Sequence, residues 1–451
     1  MTDLLIIFPV FLSFLTGYGL IGVFFRSENL SVGLRAVLGL GLGLGVSGHL
    51  VFYTLVFGGK FSAAVVIAAH ILLLSALAKK HLSGTKARGQ PMVPLFRVDT
   101  SQALAGLMLL LLLITACVYA SHFPWGGWDA WSIWNFKARF IFLGGDRWQN
   151  MLDPVLWRSS PHYPLLLPLI NAWAWSCLPA PSATGPLAVS LIFLGLTAGL
   201  LSAGLLRLTG DSRTALAPGL IISLPFFVKL TIGQYSDITL GFYLLAGVIV
   251  FLASEKTRDD RLLFLAGVFW GFLSFTKPEG TVAAFLLVLC GLASLMSSGA
   301  GKGRRARALL AGAGLAFLPT VLFQFFYSPG NQTYVNGLLD GHGGLATGRL
   351  RWAAAFLWVE LTSGKWNGLW IILLAGLVLS GGRCLRKDVL FIPVFLVLYL
   401  TVVLAYYQVN AYFEIKWWLQ VTLHRVLYSL LPLIIFWVFY SLWGERIEDR
   451  G

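Results

Sequence analysis

Five short polar segments, each set against long apolar runs, carry the side chains of this chain that could do chemistry. In the first, Trp125, Trp128, Trp131 and Trp134 surround a single carboxylate, Asp129, and Lys137 and Arg139 follow. A lone carboxylate facing a cavity can take the proton of a hydroxyl nucleophile. Asp129 also reads as the N-cap of a helix starting near residue 130, and the two roles are compatible. In that helix Ile133, Phe136 and Phe140 share a face with Asp129, and the helix would lie in the membrane interface with its apolar side down. Trp128 and Trp131 offer indole faces that stack on the apolar C–H surface of a sugar.

The second segment holds His162 and Tyr163 between Pro161 and Pro164. Its imidazole suits a hydrogen bond to a phosphate or a sugar hydroxyl, and serves equally in a purely structural bond. Asp237 follows Gln234 and Tyr235 at the start of an apolar run, again as a substrate-facing carboxylate or a cap. Lys277 and Glu279 flank Pro278 in a turn between two apolar runs, where they either pair with each other or meet a substrate. His424 and Arg425 open the last apolar run. A cation at a helix N-terminus opposes the helix dipole. An anion held between that terminus and Arg425 would remove the conflict, and the planar guanidinium fork matches a phosphate. An ion pair with Glu414 or Glu279 is the alternative.

The elements that must position these groups are membrane helices. Apolar runs near 20 residues match the hydrocarbon core, and long continuous runs in lipid are helices. The spans are read as 4–25, 33–57, 62–78, 103–120, 185–206, 214–232, 238–253, 262–276, 280–297, 308–327, 366–381, 389–408 and 423–443. The first lacks a basic leader and reads as a retained helix. Seven loops, 26–35, 79–97, 207–213, 256–261, 302–307, 383–387 and 446–450, hold 21 of the 33 Lys and Arg residues. Placing all seven in the cytoplasm gives one consistent path, with the N-terminus outside and the C-terminus inside. The stretches 121–184 and 328–365 then fall outside, with the five polar segments and Asp340. Within 121–184 the apolar helix 163–178, bounded by prolines, must lie on or dip into that face, and Trp173 and Trp175 read as an interfacial belt. The region 83–97 is a cytoplasmic linker.

Composition agrees. Of 451 residues, 57% are hydrophobic and 12% charged, and the net charge of +14 follows from the cytoplasmic loops. Nothing suggests a nucleic-acid surface, and the four cysteines form no metal spacing. No cofactor or metal is indicated.

The order of the segments resembles bacterial polytopic glycosyltransferases of the GT-C fold, related to the protein O-mannosyltransferase and aminoarabinose transferase group. The likeness runs over 103–300, from the loop acid Asp129 through His162 to Pro168, Asp237, Lys277 and Pro278, and more loosely to His424 and Arg425. It implies an all-α polytopic fold of about 13 spans: N-terminal helices and linker over 1–102, the catalytic core over 103–300, and C-terminal helices over 301–451. It also implies inverting transfer of a sugar from a polyprenyl phosphate to a glycan, lipid or protein acceptor, outside the plasma membrane of a bacterium. Asp129 would be the base, and Lys277, Arg425 and His424 would hold the donor phosphate. Trp128, Trp131, Lys137, His162, Tyr163, Asp237 and Glu279 would line the substrate site. A transporter or flippase of lipid-linked glycans would carry its ionisable groups near the midplane, and these stand at the outer ends. A glycan ligase or polymerase using a pyrophosphate carrier shares the same features and stays open.

Overall fold

The apolar runs form helices, as backbone groups in lipid require. The computed structural model describes residues 2–25, 30–84, 100–297, 301–330, 347–409 and 414–444, and holds no strand among them. The linker 83–97, Asp340 and the basic residues 446–450 lie wholly or largely outside the described residues. In chain order the helices are α1 (Ile7–Phe24), α2 (Val32–Gly58), α3 (Ala63–Gly84), α4 (Thr100–Ala120), α5 (Asn135–Leu143), α6 (Leu166–Ala174), α7 (Thr184–Thr209), α8 (Pro218–Ile222) and α9 (Pro225–Ile232). They continue as α10 (Ser236–Thr257), α11 (Asp260–Ser274), α12 (Pro278–Ser297), α13 (Lys302–Phe326), α14 (Thr347–Thr362), α15 (Leu369–Leu379), α16 (Phe391–Val409) and α17 (Ile415–Trp443).

Ten helices among the described residues are long and apolar enough to cross a membrane, which makes this an integral membrane protein. Three expected spans take another form. The run 214–232 is broken: its two helical parts, Ser212–Ile222 and Pro225–Ile232, meet at 72°. Leu224 is extended, and Pro225 has no N–H to continue the helix. The runs 262–276 and 366–381 become α11 and α15, of 15 and 11 residues. At 1.5 Å per residue these reach only about 22 and 16 Å, short of a hydrocarbon core of roughly 30 Å.

The buried centre is α10, packed against α7, α11 and α17. Small residues allow the closest approaches, since lipid supplies no hydrophobic drive between helices. A Cβ on Gly43 of α2 would stand 1.8 Å from the Ser13 carbonyl oxygen of α1, and one on Gly312 of α13 1.9 Å from that of Phe264 on α11. The two ends of α10 carry separate charge clusters. At its C-terminal end Glu255 bonds Arg305, and Asp260 pairs with Arg304 at 2.6 Å and Arg305 at 3.4 Å. The basic loops 207–213, 256–261 and 302–307 meet there: Lys256 donates to the Leu208 carbonyl.

The other end of the bundle holds the segment between α4 and α7. Its helix α6 dips inward, with all nine residues buried. Trp173 and Trp175 are therefore not an interfacial belt; both are wholly buried. Protein partners take their indole N–H groups and permit this. Trp173 donates to the Pro9 carbonyl at 3.1 Å and the Ser13 hydroxyl at 3.0 Å, and Trp175 to the Ser182 carbonyl at 2.9 Å.

Candidate functional site

After α4 the chain turns through Gly126, whose positive φ of 75° suits glycine, and lies against the segment before α10. The Gly127 N–H donates to the Gly233 carbonyl at 3.0 Å. A chain of buried amides locks the junction. Asn171 of α6 donates to Asn135 at 2.9 Å, Asn135 to Gln234 at 2.6 Å, and Gln234 to the Pro124 carbonyl at 3.1 Å. These bonds fix the loop carrying Asp129 to the turn carrying Asp237.

The segment after Asp129 departs from the expected interfacial helix. Ala130–Trp134 is a π-helical turn, and α5 follows it packed on α6. The wider turn shifts the register, so Ile133, Trp134, Lys137, Ala138 and Ile141 are buried while Phe136 and Phe140 are half-buried. Neither Asp129 nor Asp237 serves as a cap: no side-chain cap bond forms at the start of the π-turn or of α10.

Both carboxylates turn instead to Arg425. Its Nη2 donates to Asp129 Oδ2 at 2.7 Å and to Asp237 Oδ2 at 2.9 Å, and its Nε to Asp237 Oδ2 at 3.2 Å. The guanidinium lies 4.5 Å from the centroid of the Tyr235 ring, a cation–π contact. The Lys277 ammonium holds Asp237 Oδ1 at 3.1 Å and stands 3.4 Å from Glu279 Oε1. Three carboxylates thus face two cations. The Asp237 side chain is 2% exposed and bridges both cations; Asp129 is 15% and Glu279 31% exposed. Asp129 Oδ1, Arg425 Nη1 and the buried Glu279 Oε2 have no hydrogen-bond partner among the described residues.

Arg425 differs from its expected setting in two respects. Its ion-pair partners are Asp129 and Asp237, rather than Glu414 or Glu279. It is also not at a helix start. The helix α17 begins at Ile415, capped by the Glu414 carboxylate on the Trp417 N–H at 2.9 Å, so Arg425 lies about 15 Å down the helix. The dipole conflict lapses, and the free N–H groups of the helix end are out of its reach.

The cluster opens into a cavity of about 2290 Å³. Sites for one small ligand run to about 1,000 Å³, so there is room for two reactants. Asp129, Lys277, Glu279 and Arg425 line it, with Trp128, His162, Tyr163 and His424. Trp128 and Trp131 meet edge to face with centroids 4.4 Å apart, and both are about half exposed. Lys137 stands apart, fully buried, its ammonium donating to the Ser160 carbonyl at 2.7 Å and that of Tyr163 at 3.3 Å. Burial pushes its pKa well below the usual lysine range. Burial, and then the Lys137 charge, hold the His162 pKa down at about 4. Burial followed by the nearby Glu279 charge pushes the Tyr163 phenol well up.

Sequence reasoning missed Asn135 and Asn171, since a neutral amide in a helix carries no signal of its partner. Tyr399, Tyr406 and Tyr407 of α16 also line the cavity unforeseen, inside a run read only as a span. Lys229 lines it too, and there the signal existed: it is the one charged residue of the apolar run 214–232. Comparison of the chain with models of protein families, with curated proteins and with solved structures finds no match.

Proposed function

We propose that this chain is a membrane glycosyltransferase that moves a sugar, with inversion, from a polyprenyl phosphate to a hydroxyl acceptor. The observation that carries the proposal is the cluster of Asp129, Glu279, Lys277 and Arg425 in the wall of a cavity at one end of a membrane bundle, with Asp237 buried behind them. Sugar transfer from a lipid phosphate needs a base for the acceptor and cations for the leaving group, and this cluster has both. Asp129 Oδ1 takes the acceptor proton while the hydroxyl oxygen bonds to the anomeric carbon. The bond from that carbon to the phosphate oxygen breaks on the opposite face, and its electron pair leaves with the lipid phosphate. Arg425, through its open Nη1, stabilises the developing charge, and Lys277 holds Asp237 against it. Trp128 and the tyrosines of α16 supply ring faces for the sugar. The basic loops favour the cytoplasm, which would put the N-terminus and the site outside and the C-terminus inside.

The test is mass spectrometry of the protein extracted in mild detergent. Wild type should carry a polyprenyl-phosphate sugar, and Asp129→Asn should retain that lipid while sugar turnover falls about 10²–10⁴-fold. Near-normal turnover in a folded Asp129→Asn protein would remove Asp129 from the chemistry, and the lack of any such lipid would sink the function.

A further inference from the structure

The cations of the cavity are not equivalent. Lys277 and Arg425 are engaged by carboxylates, and Lys365 is paired with Glu360 at 2.6 Å. Lys229 and Arg158 line the same cavity with no carboxylate in ion-pair range among the described residues. Lys229 belongs to α9, the second limb of the broken span, one turn after Phe226 on the same face. Three basic groups from separate elements gather on that ring. The Lys229 ammonium is 5.8 Å from its centroid, the Lys365 ammonium 5.9 Å, and the His424 ring meets it edge-on at 4.9 Å.

An ammonium without a counter-charge in a membrane helix is a functional candidate. Snorkelling to the headgroup layer would explain Lys229 alone. It does not explain why Lys365 and His424, from the 3-10 turn before α15 and from α17, converge on the same phenyl ring. A phosphate seated on the carboxylate cluster would instead face three carboxylates and would have to compete with Asp129 and Asp237 for Arg425.

We propose that the pocket around Phe226 binds the phosphate of an anionic lipid, with Lys229, which has no carboxylate partner among the described residues, supplying charge and Lys365 and His424 supplying further donors. The apolar wall of Ile222, Pro225 and Phe226 takes the adjoining chain. The phosphate then sits beside Arg425, the next residue after His424, and not within the carboxylate cluster. This assignment rests on reading the cavity as a polyprenyl-phosphate site.

The experiment measures binding of a fluorescent polyprenyl monophosphate to the purified chain in nanodiscs, with uncharged polyprenol and inorganic phosphate as competitors. Lys229→Ala should weaken binding about tenfold or more, and Lys229→Arg should recover most of it. Arg158→Ala should leave it within about twofold, because long-range attraction alone is weak. Competition by inorganic phosphate alone, lost in Lys229→Ala, assigns the anion site to free phosphate; competition by polyprenol alone overturns it. Equal binding by wild type and Lys229→Ala, or an equal loss in Arg158→Ala, overturns the role of Lys229 and leaves the glycosyltransferase reading standing. No binding by wild type overturns both.

Discussion

Replacing Arg425 by lysine keeps the charge and removes the geometry. The guanidinium spans two carboxylates through three hydrogen bonds, of 2.7, 2.9 and 3.2 Å. An ammonium is a point donor on a shorter reach, so it can satisfy one carboxylate and leaves the other short of its partner. A hydrogen bond to a charged group is worth about 1.5–3 kcal/mol net, so losing the Asp129 arm should cost roughly 2 kcal/mol. Arg425→Ala should cost more, about 3–5 kcal/mol, because Asp237 would keep only Lys277 inside the protein. The assay is unfolding of the purified chain in nanodiscs, for wild type, Asp129→Asn, Arg425→Lys and the double variant. With the pair formed, the double variant loses less than the two single losses combined, by about 0.5–3 kcal/mol. Additive losses, or an Arg425→Lys protein as stable as wild type, would refute the cluster as the organiser of this end of the bundle.

Other consequences are as definite. Lys137→Met should leave the Tyr163 carbonyl unpaired and the Ser160 carbonyl with only the Tyr163 N–H at 2.9 Å, cost about 1–3 kcal/mol, and expose the segment 153–163 to limited proteolysis. Gly43→Ala drives a Cβ to 1.8 Å from the Ser13 carbonyl oxygen and should cost about 1–3 kcal/mol in unfolding, whereas Gly106→Ala, which meets nothing within 4 Å, should cost nothing measurable. His162, with a folded pKa of about 4 against 6.5, binds fewer protons folded than unfolded, so stability falls as the pH drops from 6.5 to 4. His162→Gln should flatten that limb of a stability-against-pH curve by about 2–3 kcal/mol, and should leave the activity profile unchanged between about pH 6 and 8.

The sequence and the structure meet most closely at ionised groups set among long apolar runs. Asp129, Asp237, Lys277, Glu279 and Arg425 come from four separate stretches and form one network. Ionised groups at membrane depth are costly, so each is visible in a sequence without any knowledge of the fold. Lys137 stands in the same polar segment as Asp129 yet faces the other way, because a π-turn re-aims the helix between them. Nothing local in Ala130, Trp131 and Ser132 announces that turn. The spans divide similarly. Ten runs are long helices, while α11 and α15 are shorter than their hydropathy suggests and Pro225 breaks a third. Hydropathy measures apolarity, and burial in protein satisfies it for α11 as fully as lipid does, whereas α15 keeps most of its apolar side chains exposed.

The depth of Arg425 ties these observations together. About 15 Å of helix separates it from the Glu414 cap, so the cluster stands below the end of α17 and not on its rim. A charge placed there is retained only with counter-charges and a polar outlet. The carboxylates arrive from above on the loop after α4 and from beside on α10, and the amide chain through Asn135, Gln234 and Asn171 fixes where they stop. The broken span brings Lys229 to the same cavity from another wall, because the 72° bend turns α9 away from the line a straight helix would follow. A straight 214–232 helix would leave Lys229 exposed to hydrocarbon or force it to snorkel. Restoring that helix with Pro225→Ala should therefore cost the lipid phosphate its anchor while leaving the Asp129–Arg425 pair in place. Loss of lipid-phosphate binding with the Arg425–Asp129 coupling intact is the expected result; loss of both together would mean that the two arms of the cavity fold as one unit.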